Sequence, residues 1–145
     1  LDRFLMRVSL GYPDAQAERR LLAGDEPREL LTRLTAVVDA PALIAMQLEV
    51  RQVHRAPALL DYVQQLVAVT RTRTDLKLGL SPRAALGLTR AAQAHAYIEG
   101  RGAVLPEVVQ AVLPAVVAHR LERRDVAGTP APLAAELVRA VPVPV

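Results

Sequence analysis

The chain has 145 residues and a mass of 15.7 kDa, with 18 Lys and Arg against 15 Asp and Glu and no cysteine. That length corresponds to one domain, able to bury a core without covalent staples. The lack of cysteine excludes a disulfide framework, a thiolate zinc site and a cysteine nucleophile.

Hydrophobic residues make up 52% of the chain but aromatics only 3%, so the core must be Leu, Val and Ala, a composition that favours helix. Phe4, Met6, Val8 and Leu10 alternate with other residues, which predicts a strand ended by Gly11-Tyr12-Pro13. No other segment reads as a strand. A lone strand is unstable, so its sheet is expected outside this chain. The opening Leu1-Asp2-Arg3 likewise points to a piece of something longer.

From Asp14 onward the pattern is helical. Asp14 can cap a helix to about Ala23, with Gly24 as its stop. Pro27 opens a short helix from Arg28 to about Leu34. Asp39 and Pro41 start another, with Leu43, Met46, Val50 and Val53 at helical spacing. Pro57 opens the next, carrying Leu59, Leu60, Val63, Leu66, Val67 and Thr70, and residues 72–80 read as a loop. Ser81-Pro82 is a strong start for a helix to about Glu99, ended by Gly100. Pro106-Glu107 opens another, in which Pro114 should produce a kink or a break into two short helices. Thr129 with Pro130 or Pro132 opens a final helix to about Ala140, and the Val-Pro-Val-Pro-Val tail should be extended. The pattern describes an all-α bundle of six or seven helices preceded by a short orphan strand.

The net charge is +3 and the isoelectric point about 9.9. All but one of the cations are Arg, Lys77 being the exception. Tight basic pairs occur only at Arg19–Arg20, Arg71/Arg73 and Arg123–Arg124, and the chain has too few aromatics for a base-stacking platform. Solvated helix faces are therefore the expected role of the charges, not nucleic-acid binding. No apolar run reaches the roughly 18 residues of a membrane span.

Few motifs carry chemistry. The phosphate-loop pattern GxxxxGK[ST] is absent, since Lys77 is followed by Leu78-Gly79. Leu21 to Glu26 reads as a helix-to-helix turn rather than an acidic magnesium site. His54, His95 and His119 have no metal-ligand spacing, and no metal site is expected. Ser9 and Ser81 are the only serines and neither lies in GxSxG, so a self-contained hydrolase is not expected.

Two arginines stand out. Arg83 lies in the first turn of the helix begun by Ser81-Pro82, where a cation opposes the helix dipole by a few tenths of a kcal/mol. The free N–H groups there form a ready anion site, so Arg83 with that helix end would suit a phosphate. On spacing alone a solvated or salt-bridged arginine is the simpler reading. Arg3 lies just before the predicted strand, and spacing says only that it is exposed. An arginine presented in trans to a γ-phosphate is a known catalytic device.

Leu1-Asp2-Arg3-Phe4, followed by Tyr12-Pro13, then Val53, Leu59, Tyr62 and Thr70-Arg71, then Leu78-Gly79-Leu80-Ser81-Pro82-Arg83-Ala84, then Gly100-Arg101, Val104, Pro106-Glu107, His119-Arg120-Leu121 and the Val-Pro-Val-Pro tail, form an ordered series. This series resembles the C-terminal end of MoxR-type AAA+ ATPases over essentially the whole chain. Val108 departs from the acidic residue expected after Pro106-Glu107. The resemblance implies residues 1–13 as the tail end of a nucleotide-binding core and 14–145 as a helical lid of the AAA+ type. It implies ATP and Mg2+ as ligands, bound mainly by an upstream domain that also carries the phosphate loop, so this piece alone should be inactive. Arg3 matches the arginine finger, Arg83 the second sensor and Tyr12 the hinge near the adenine. It further implies a cytoplasmic ring, a hexamer by expectation, that matures or inserts metals into other proteins, with a von Willebrand A domain protein as a partner. A stand-alone helical adaptor for a partner helix, or a basic helical nucleic-acid binder, are the other readings.

Overall fold

The computed structural model describes residues 2–24, 31–124 and 130–144, and the side chains of all of these except 130–132. Six named helices follow in chain order: α1 (Ala15–Leu22), α2 (Ala40–Gln52), α3 (Pro57–Thr72), α4 (Pro82–Ile98), α5 (Pro106–Val117) and α6 (Pro130–Ala140). The all-α class expected from composition is what forms. Residues 31–33 are also helical, while residues 28–30 of the helix expected from Arg28, and the Thr129 start of the last helix, lie outside the described residues.

The chain forms two compact units, Leu1–Arg7 with Gln47–Val145, and Val8–Met46. In the smaller unit, Asp14 accepts a hydrogen bond from the Ala17 amide at 2.7 Å and starts α1. Asp39 accepts one from the Ala42 amide at 2.8 Å and starts α2. None of the described side chains in this unit is buried. Leu43 is accordingly exposed, and of the stripe expected on α2 only Val53, just past its end, joins the core.

The larger unit holds the core. Tyr62 and Leu66 of α3, Leu88 of α4, Val109, Leu113 and Val116 of α5, and Leu137 of α6 are all fully buried. α4 turns Ala84, Ala91, Ala92 and Ala96 inward, and these small side chains let α5 pack closely against it. Gln93 donates to the Val53 carbonyl at 3.0 Å, and Gln110 donates to the buried Tyr62 hydroxyl at 3.0 Å. Gly100, with φ of 71°, closes α4 in the left-handed region as expected.

Two expectations meet the structure here. First, among the described residues no ladder reaches residues 4–10, where an orphan strand with its sheet outside the chain is expected, and several backbone groups there bond elsewhere. The Arg7 amide donates to the Ala115 carbonyl at 2.8 Å, and the Leu5 carbonyl accepts from Arg120 at 3.0 Å. Of the four alternating residues only Met6 packs against the core. Second, of the two outcomes expected at Pro114, a kink or a break, the break does not occur: α5 runs as one helix from Pro106 to Val117. Pro114 lies on the exposed side of that helix, where solvent can reach the backbone group left without its partner.

The turn between α3 and α4 sets the start of α4. Thr70 donates to the Val67 carbonyl at 2.6 Å and accepts from the Leu80 amide at 2.9 Å, while Arg71 Nε donates to the Leu80 carbonyl at 2.9 Å. The loop is thus folded back against the end of α3. Gly79 is required by this approach, because a Cβ there would sit 2.6 Å from the Arg71 Cα. Beyond the turn, Arg73 and Arg123 share Asp75 and Glu136 in a four-membered ionic cluster with contacts of 2.6–2.8 Å. The cluster joins the end of α3, the segment after α5, and α6.

Gly79→Ala is expected to destabilise the fold by about 1–3 kcal/mol, since backbone cannot move aside as a flexible side chain would. Gly102→Ala, where a Cβ meets nothing within 4 Å, should stay within about 0.5 kcal/mol of the parent chain. Urea midpoints of the two variants test this. The ionic cluster makes a pH prediction. Hydrogen bonding from Arg73 and the charge of Arg123 outweigh desolvation and hold the Asp75 carboxyl down at about 2, and Glu136 is lowered by the same partners. A carboxyl depressed in the folded state stabilises it above its ordinary pKa and loses that contribution as the pH falls through the folded value. The urea midpoint should therefore drop between about pH 5 and about pH 2, and Asp75→Asn should flatten that limb while lowering the midpoint at neutral pH.

Candidate functional site

The site is built on the first two turns of α4. Ser81 caps the helix, its Oγ accepting from the Ala84 amide at 3.1 Å, and Pro82 fills the first helical position. Arg83, Leu86, Gly87 and Arg90 follow at i, i+3, i+4 and i+7, and so share one face. Segment 2–7 lies against this face. Leu5 comes close enough to Gly87 that a Cβ there would stand 3.2 Å from Leu5 Cδ1.

Between the segment and the helix lies a concave surface of about 550 Å3, lined by Arg3, Arg83, Arg90, Arg120 and Asp2 around Leu5, Leu86 and Gly87. Four guanidinium groups face one carboxylate. That carboxylate is already engaged: Asp2 Oδ2 accepts from Ser81 Oγ at 2.9 Å and Oδ1 accepts from Arg120 Nε at 2.9 Å. The Ser81 bond chiefly, with Arg120 and the charge of Arg83 adding to it, lowers the Asp2 pKa against the opposing effect of desolvation. Arg120 is spent in the same way, its side chain only 4% exposed. Arg3, Arg83 and Arg90 make no hydrogen bond and no ion pair among the described residues. The concavity therefore offers three uncommitted guanidinium groups beside the start of α4. Such a surface fits a polyanion, and phosphate in particular, because guanidinium pairs with phosphate oxygens bidentately. It supplies charge stabilisation but no nucleophile and no free base.

The structure brings Arg3 and Arg83 onto this one surface. Tyr12 belongs to the smaller unit and is fully exposed. Of the histidines, His54 bonds through its backbone to Gly102 and Val104, His95 faces Glu99, and His119 Nε2 lies 2.9 Å from the Phe4 carbonyl. Among the described residues no three metal-ligating side chains gather. No helix there is long and apolar enough to cross a membrane. Sequence reasoning overlooked Arg90, which the spacing of seven from Arg83 would have revealed. It also overlooked Asp2 and Arg120, whose pairing across 118 positions has no local signal.

Comparison with known proteins places the chain in a family. The model of the AAA lid domain family matches residues 68–140. Chaperone MoxR1 of Mycobacterium tuberculosis is 33% identical over 131 residues, 83% of this chain and 34% of that protein. Protein MoxR of Paracoccus denitrificans is 35% identical over 139 residues, again 83% of this chain and 41% of that protein. Protein YeaC of Bacillus subtilis, itself uncharacterized, is 33% identical over 121 residues, 83% of this chain and 38% of that one. A crystal structure assigned as that of an ATPase from Cytophaga hutchinsonii superposes with a TM-score of 0.81 at 23% identity, covering 99% of this chain and 48% of that one, which bears on the fold alone. The chain thus spans well under half the length of each of these curated relatives. With the matched family model covering half of the chain and the relatives extending the likeness beyond it, the chain belongs to the AAA lid domain family, as the lid region of a MoxR-type AAA+ ATPase.

Proposed function

We propose that this chain is the lid that couples ATP binding and hydrolysis to movement in a ring of full-length subunits, with residues 1–13 the tail end of the nucleotide-binding core and 14–145 the lid proper. The observation that carries this reading is the shared surface on which Arg3 and Arg83 stand with Arg90, uncommitted, at the start of α4. Arg3 acts as the arginine finger on the nucleotide of a neighbouring subunit, and Arg83 as the second sensor. Since the two line one concavity, both address the same phosphate chain, so Arg83 also works in trans. Their chemistry is electrostatic: fixed guanidinium groups stabilise the charge that develops on the transferred phosphoryl group. Mg2+ does not fit this surface, because guanidinium groups repel a cation and both oxygens of Asp2 are in use. The metal is therefore held, with the phosphate loop, by residues outside this chain. That is why the piece alone is inactive.

The smaller unit supports the same reading. Leu10, Tyr12, Leu22 and Val37 are exposed there, and apolar surface of that kind calls for a cover. The rest of the full-length protein supplies it, with Tyr12 at the hinge by the adenine. A relative is named a chaperone. By that likeness the ring works in the cytoplasm on other proteins, maturing them or inserting metals, and a von Willebrand A domain protein is the partner by the same family likeness.

ATP turnover by the full-length protein tests the assignment. Arg3→Ala should lower kcat by about 10³-fold or more while nucleotide affinity changes little, because the finger acts on the transition state. Arg83→Ala should lower turnover at least about tenfold. Turnover equal to the parent in both variants would remove the nucleotide role and leave a helical adaptor as the better description.

A further inference from the structure

Among the described residues segment 2–7 meets no strand, and it is fastened at several points to the start of α4 and the end of α5. Arg120 is the centre. Its Nε donates to Asp2 Oδ1 at 2.9 Å, one terminal nitrogen donates to the Leu5 carbonyl at 3.0 Å, and the other reaches the Phe4 carbonyl. His119 Nε2 meets the same Phe4 carbonyl at 2.9 Å, in which bond the ring must donate, since a carbonyl only accepts. The Arg7 amide closes the fastening on the Ala115 carbonyl at 2.8 Å. At the other end, Asp2 Oδ2 accepts a hydrogen bond from the hydroxyl of Ser81, the cap of the helix that carries Arg83 two residues later. One carboxylate thus ties the residue before Arg3 to the residue that starts α4, with Leu5 seated over Gly87 between them.

We propose that Asp2 and Arg120 are positioning residues: they latch the segment bearing Arg3 onto the first turn of α4, so that Arg3 and Arg83 are presented to one phosphate chain as a single rigid unit. The proposal rests on the reading of Arg3 and Arg83 given above. Neither latch residue needs to touch the nucleotide. The side chain of Arg120 is buried, and the charge of Asp2, which would repel a phosphate if free, is neutralised by the guanidinium it holds. What the latch contributes is geometry, and displacement of a charge-stabilising group by about 1 Å can cost on the order of 100-fold in rate. When the lid turns, the finger segment must turn with it.

Asp2→Ala is the decisive variant, because Asp2 is 47% exposed and its loss leaves the core untouched. In the full-length protein it should lower kcat for ATP about tenfold or more with KM within about twofold, a loss confined to the transition state. Added to Arg3→Ala it should cost less than about twofold more, since a latch has nothing left to position. In amide exchange by the same full-length protein, Arg7 should lose protection while the buried turns of α4 and α5 keep theirs. An unchanged Arg7 amide would show that no latch exists. A released Arg7 amide with kcat unaltered would show a latch that positions nothing. If Arg3→Ala and Arg83→Ala abolish turnover and Asp2→Ala does not, the latch alone is overturned. If neither arginine variant affects turnover, the reading beneath it falls as well.

Discussion

The buried guanidinium of Arg120 is the constraint around which the functional end of the molecule is arranged. A charge withdrawn from water must be paired and hydrogen-bonded or it destabilises the fold by several kcal/mol. Arg120 meets that demand with the Asp2 carboxylate, the carbonyls of Phe4 and Leu5, and the Val116 carbonyl one turn before it. Nearly all of these come from a segment with no regular structure of its own. The segment is therefore placed by the needs of one side chain at the end of α5, not by a ladder of backbone bonds.

The start of α4 is held from two directions. The loop before it is folded against α3 through Thr70, Arg71 and the close approach at Gly79. The cap itself is held by Asp2. With both sides fixed, the amides of the first turn and the Arg83 side chain form a surface that needs little rearrangement to meet an anion, and preorganisation of that kind is what makes fixed charges effective in catalysis. The cation at Arg83 opposes the helix dipole, a position unfavourable in isolation.

The two units differ in how they are stabilised. The larger one has a contiguous Leu, Val and Ala core and an ionic cluster that secures α6 to α3. The smaller one has helix caps but no buried side chain among its described residues. Capping contributes about 1 kcal/mol per helix, too little to hold short helices without packing, so Val8–Met46 depends on surface contributed from elsewhere in the protein.

Much of the fold was legible in the sequence because its signals are local. Asp14, Asp39, Ser81-Pro82, Pro57, Pro106 and Gly100 mark helix ends through bonds spanning at most four residues, and the helical spacing of Leu59, Val63, Leu66 and Val67 names a buried face. The same locality singled out Arg83, whose charge conflicts with its own helix end. Locality says less about the alternation of Phe4, Met6, Val8 and Leu10: it reads as a strand, but a strand needs a partner ladder, and among the described residues Arg120 and Ala115 take the Leu5 carbonyl and the Arg7 amide. Only the tertiary structure could decide that Asp2 meets Arg120, that Leu5 rests over Gly87, and that Arg3 and Arg83 share one surface. Those pairings join positions some 80 to 118 residues apart in the chain, where no periodicity or capping rule reaches, and they arise because packing α4 against α5 brings the ends of both helices to the same place.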